Sequence, residues 1–158
     1  MPCIAWRFNG WSDPQVYFRD HSGAAWPVDV AVAKWHEAVG IDSYYIWMST
    51  GCPSTSTGKH CVNVYSQWYN NNSLAWIDYA FDPSRKFIDG SVAVHLNDRF
   101  SLAEDNRSTV CEELGHALGV GHNYGERDAS CMGQTIPGPD HPFPGSNDYG
   151  LLRYVVYP

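Results

Sequence analysis

The chain has 158 residues and is 44% hydrophobic, enough for one compact domain with a real core. Its formal net charge is −7 and its ten Lys and Arg residues are scattered. That argues against a nucleic-acid partner, because phosphate binding needs clustered cations. No apolar run approaches the roughly 20 residues that span a bilayer, and no charged-then-apolar signal segment opens the chain; no membrane association is expected, and a secreted form would have lost its leader.

In chain order, residues 3–8 (CIAWRF) read as a short strand. Pro27 sits where a first helical turn tolerates it, Val28, Val32, Trp35 and Val39 recur at helical spacing, and Gly40 is a stop, which predicts a backing helix over 26–39. Residues 43–49, 61–69, 74–81 and 91–97 are rich in β-branched and aromatic residues and read as four strands. A helix is predicted near 104–119, with Val110, Leu114, Ala117 and Leu118 as its apolar stripe and Gly119 as its end. Segment 120–146 is rich in Gly and Pro, and Pro137, Pro139, Pro142 and Pro144 predict irregular structure. Asn147 or Asp148 can cap a last helix, DYGLLRYVV. The order predicts an α+β fold, one sheet backed by helices.

Five cysteines bear on the compartment. Two short-range pairings, Cys52 with Cys61 and Cys111 with Cys131, leave Cys3 over. Such bridges imply an oxidising, extracellular setting; the alternative is five free thiols in a cytosolic protein. Asn71-Asn72-Ser73 and Asn106-Arg107-Ser108 match the glycosylation triplet.

The chemistry gathers in VCEELGHALGVGH, residues 110–122. Glu112 and His116 are four apart, which puts them on one helix face with Cβ atoms roughly 6 Å apart. Glu113 lies one step round, where it can reach a water on an ion held by the other two. Gly119 and Gly121 allow a sharp turn, so that His122 can swing back as a third ligand. Three protein ligands leave a fourth position open, the arrangement of a catalytic zinc site.

The run E-L-G-H-A-L-G-V-G-H (113–122), followed by Ser130-Cys131-Met132, resembles the metzincin zinc metalloproteases, and is most similar to the matrixin branch and small secreted bacterial relatives. The resemblance implies zinc as cofactor, with His116 and His122 as ligands, Glu113 as the general base of a metal-activated water, and Met132 in a methionine turn beneath the metal. It implies a twisted mixed sheet with a backing helix and an active-site helix over residues 1–122. A small irregular lower subdomain ending in a helix would follow over 123–158. It also implies that 91–97 is the edge strand along which a peptide or protein substrate lies. A secreted monomeric endopeptidase is the expectation.

The first ligand position of the motif holds Glu112 where the family has histidine. A carboxylate binds zinc at roughly 2.0–2.2 Å, and two histidines with one glutamate form a working set. One carboxylate lowers the site's charge from +2 to +1, which weakens its pull on water and carbonyl oxygen. It also puts a negative neighbour beside Glu113, which raises that carboxyl's pKa. Three readings stay open: a peptidase with Glu112 as ligand, a peptide- or protein-binding module with no metal, and an engineered or incidental change in a protease scaffold. His21, His36, His60, His95 and His141 lack ligand spacing and read as surface or core residues. Asp82, Asp89 and Asp98 match no calcium loop and read as solvated turns.

Overall fold

The first strand of the sheet, β1 (Gln15–His21), falls where no strand was predicted. Val16 and Phe18 point into the core, while Tyr17 and Arg19 alternate outward; the next inward position is Asp20, which hides the apolar half of the pattern. Asp20 is tolerated because its carboxylate accepts from Ser22 N and Ser22 Oγ, at 2.8 and 2.7 Å, and from Tyr45 Oη at 3.0 Å. The computed structural model describes residues 10–122, 130–133 and 141–158, the side chains of Ala103 and Glu104 excepted. The strand predicted at 3–8 and the position of Cys3 lie outside them.

The remaining strands are β2 (Asp42–Trp47), β3 (Lys59–Gln67), β4 (Ala75–Asp78) and β5 (Ala93–Asn97). The sheet order is β2-β1-β3-β5-β4. The pairs β1–β2, β1–β3 and β3–β5 are parallel, and β4 runs antiparallel to β5. The mixed sheet is as expected, but the edge is not. β5 is flanked on both sides by β3 and β4, and among the described residues β4 and β2 are the edges, so the sequence-based choice of 91–97 as edge strand is corrected. Strand neighbours are fixed by long connections, which local pattern does not encode.

Helix α1 (Val28–His36) buries Val28, Ala31, Val32 and Trp35, the i, i+3, i+4, i+7 stripe of a helix laid on a sheet. It is shorter than the 26–39 predicted: Ala38 N bonds to Trp35 O in a tight turn, Val39 stands exposed, and Gly40 takes φ 101°. Helix α2 (Ala103–Leu118) buries all four stripe residues, Val110, Leu114, Ala117 and Leu118. Both helices share one core with the inward residues Val16, Phe18, Val62, Val64, Val94 and Leu96. Trp35 Nε1 donates to Cys111 O at 2.9 Å, which joins the backing helix to the second helix in mid-length.

The last helix, α3 (Ser146–Leu151), widens into a π-helical turn over Leu152–Val156, with Tyr157 N donating to Leu152 O at 2.8 Å. Its start is held by Asp148 from inside the first turn rather than from the cap position: Gly145 N donates to Asp148 Oδ2 at 2.7 Å. Among the described residues, no helix is long and apolar enough to cross a membrane.

Both predicted cysteine pairs are bridged. Cys52–Cys61 closes the Ser/Thr loop with Cα atoms 5.8 Å apart, and Cys111–Cys131 spans a Cα separation of 5.9 Å. Of the two glycosylation triplets, the second is closed off. Asn106 is buried, and its amide nitrogen donates to Ala25 O at 2.8 Å and Ser101 Oγ at 3.0 Å.

Candidate metal centre

Helix α2 ends at Gly119, and the ending builds the site. Gly119 adopts φ 98°, and a Cβ there would meet Gly10 Cα at 2.9 Å, so both backbone shape and space call for glycine. Gly119 N bonds to His116 O and Val120 N to Gly115 O, closing the helix in the left-handed manner that reverses the chain. The reversal carries Val120 and His122 back over the last turn.

Glu112, His116 and His122 are brought together, with one ligand atom from each lying within 4.8 Å of the others; among the described residues no other such group of three occurs. Glu112 Oε1 sits between the imidazoles, 2.8 Å from His122 Nε2 and 3.9 Å from His116 Nε2. The two rings stand at 67° with centroids 4.8 Å apart. A proton or a cation between Glu112 and His122 satisfies both atoms.

The tautomer of His116 follows from its neighbour. Its Nδ1 lies 2.9 Å from Val120 O, and a carbonyl only accepts, so Nδ1 carries the proton and donates. Nε2 is left with a lone pair aimed at Glu112 and His122. A second partner of this kind orients a ligand imidazole and raises its basicity. Burial pushes the imidazole's pKa down, which favours the neutral form a cation needs. The donor set, two imidazole nitrogens and a carboxylate oxygen, is one that can hold a metal ion.

Glu113 is buried beside this group, and its carboxyl is pushed up to about 8. Burial is the largest cause, the neighbouring Glu112 charge adds to it, and His122 opposes both. The sequence pointed to Glu112 alone; depth in the fold supplies the greater part.

Beneath the site, Met132 is fully buried. A Cβ on Gly115 would lie 2.5 Å from Met132 Sδ and 2.6 Å from Trp35 Cζ2, so the missing side chain at 115 is the space in which methionine and tryptophan meet the helix. The turn bearing Met132 is pinned from below. Ser130 Oγ donates to the buried Asp148 carboxylate and accepts from Met132 N at 2.9 Å. The Cys111–Cys131 bridge ties the residue before Glu112 to the residue before Met132. Asp148 had looked only like a helix cap in the sequence, and its support of the methionine turn had no local signal. The same holds for Val120, whose carbonyl acts through a turn.

The other histidines are occupied elsewhere. His60 is buried, with Nδ1 2.8 Å from Asp89 Oδ1 and Nε2 accepting from Asp13 N at 3.3 Å, and it stacks on Trp11. His95 binds Asp78 Oδ2 through Nε2 at 2.9 Å and Tyr69 Oη through Nδ1 at 3.0 Å. His21 bonds to Asn63 Oδ1 at 3.0 Å, and His36 packs near the Tyr44 ring. The backbone carbonyl of His141 accepts from Ser108 Oγ at 3.2 Å. Two of the three aspartates screened for calcium are likewise engaged, Asp89 with His60 and Asp98 with Trp26 Nε1 at 2.7 Å. The third, Asp82, accepts from Lys86 N at 2.9 Å.

No protein-family model and no curated protein matches the chain. Among solved structures it is similar to that of myroilysin, with a TM-score of 0.49 and 15% identity, over 95% of this chain and 96% of that one. On its own geometry, the five-stranded mixed sheet with α1 and α2 sharing its core is consistent with the metzincin-like α+β fold expected from the motif.

Proposed function

We propose that the chain is a zinc-dependent endopeptidase acting outside the cell on peptide or protein substrates. The observation that carries this reading is the meeting of Glu112, His116 and His122 at one point with the buried carboxyl of Glu113 beside it. Glu112, His116 and His122 would hold the ion, which when bound acts as a Lewis acid toward the scissile carbonyl and the attacking water. Glu113, buried beside the three donors, takes a proton from that water and returns it to the leaving amine. Val120 keeps the His116 proton on the far side of the ring. An extended substrate would align on β4, an edge of the sheet among the described residues. Two disulfides fit an oxidising compartment.

One observation favours a different reading, a binding module without chemistry: Glu112 and His122 satisfy one another directly at 2.8 Å. Elemental analysis of protein purified without added metal, followed by casein digestion with and without chelator, decides between them. Zinc near one per chain with chelator-sensitive cleavage supports the peptidase. Absence of both supports the module.

A further inference from the structure

The proposed metal centre, on which this inference rests, differs from an all-imidazole site at one donor. Glu112 is no solvated surface group. Its side chain is only 20% exposed, and its oxygen lies between the two imidazole nitrogens, within hydrogen-bond reach of one and 3.9 Å from the other. The histidines have little freedom to compensate. His116 is fixed by Val120, and the path to His122 is set by the glycine ending of α2.

Donor chemistry then bears on ion choice. Imidazole nitrogen is a borderline donor that separates zinc strongly from manganous and ferrous ions. A carboxylate oxygen is hard, carries charge, and separates them less. Two imidazoles and one carboxylate is a donor set used by octahedral Fe2+ sites as well as by zinc sites. We infer that Glu112 makes this a mixed-ion centre, binding Mn2+ as well as Zn2+, with a zinc-over-manganese preference smaller than the same scaffold would show with histidine at 112.

The test is a competition titration of the full chain against a chromophoric chelator, with Zn2+ and Mn2+ separately, repeated on Glu112→His and Glu112→Gln. Thermal melts check that each variant folds. The expected result is a Zn2+/Mn2+ affinity ratio higher in Glu112→His than in the parent chain, by more than a factor of about two. In Glu112→Gln, which keeps the shape and loses the charge, Mn2+ binding should fall more than Zn2+ binding. Ratios equal within twofold, with one ion bound per chain, would overturn the inference while leaving the peptidase reading intact. Should Glu112→His fail to fold, equal losses for the two ions in Glu112→Gln overturn it instead. A parent chain that binds neither ion overturns both readings together.

Discussion

His60 and His116 are both held by a hydrogen bond at Nδ1, and they differ in what is done with the other nitrogen. At His60, Nδ1 meets Asp89 and Nε2 accepts from Asp13 N, so the ring is fully spent within the protein and fills a slot against Trp11. At His116, Val120 O takes the Nδ1 proton, and Nε2 faces a carboxylate 3.9 Å away and a second imidazole. His95 follows His60, with Asp78 and Tyr69 on its two nitrogens. A histidine beside a carboxylate is therefore not by itself a metal ligand. What sets His116 apart is one nitrogen anchored on a backbone carbonyl and the other facing a carboxylate and a second imidazole.

The strongest break in this comparison should come from the residue that only the metal centre possesses. Glu113→Gln is expected to lower peptidase activity on the order of 100-fold or more, with zinc content unchanged by elemental analysis, because general acid–base groups contribute on that scale. Unchanged activity would remove Glu113 from the mechanism. Next comes the bridge beneath the centre. Replacing Cys111 and Cys131 together by serine releases a crosslink between positions 20 residues apart and should cost about 3 kcal/mol in denaturant unfolding. Because the bridge joins the neighbours of Glu112 and Met132, zinc affinity should fall as well; serine in place of Cys52 and Cys61 should spare it.

The mirror experiment is His60→Asn. It should cost about 2 kcal/mol of stability, the scale of leaving buried partners unmet, and leave zinc content alone. Loss of metal in that variant would contradict the contrast between the two rings.

The last contrast is a pH slope. Burial pushes the Glu113 carboxyl up to about 8 from its ordinary 4.5, so between these values the folded chain binds more protons than the unfolded one. Stability from this group is then complete below about 4.5 and is lost as pH rises toward 8. Chelator-treated protein should melt lower at pH 8 than at pH 5 by more than Glu113→Gln does under the same conditions.

What the sequence made legible was whatever a short window encodes. The stripe Val110, Leu114, Ala117, Leu118 and the stop at Gly119 define α2, and the spacing of Glu112, His116 and His122 marks three side chains that the fold brings together. Both cysteine pairings follow from loop length. Strand β1 was lost because Asp20 breaks the apolar alternation, and its carboxylate is satisfied partly by Tyr45, 25 residues away. The edge position of β4 depends on which strands come to flank β5, a long-range outcome. Support of the methionine turn by Asp148 is illegible for the same reason, since Ser130 and Asp148 meet only after α3 has packed.

The most direct measurement is an anomalous difference map from a crystal of the protein soaked in zinc. The expected result is one peak bonded to His116 Nε2, His122 Nε2 and a carboxylate oxygen of Glu112, each near 2.0–2.2 Å. No peak between the two imidazoles, or a peak with the Glu112 carboxylate turned away from it, would contradict the three-donor centre.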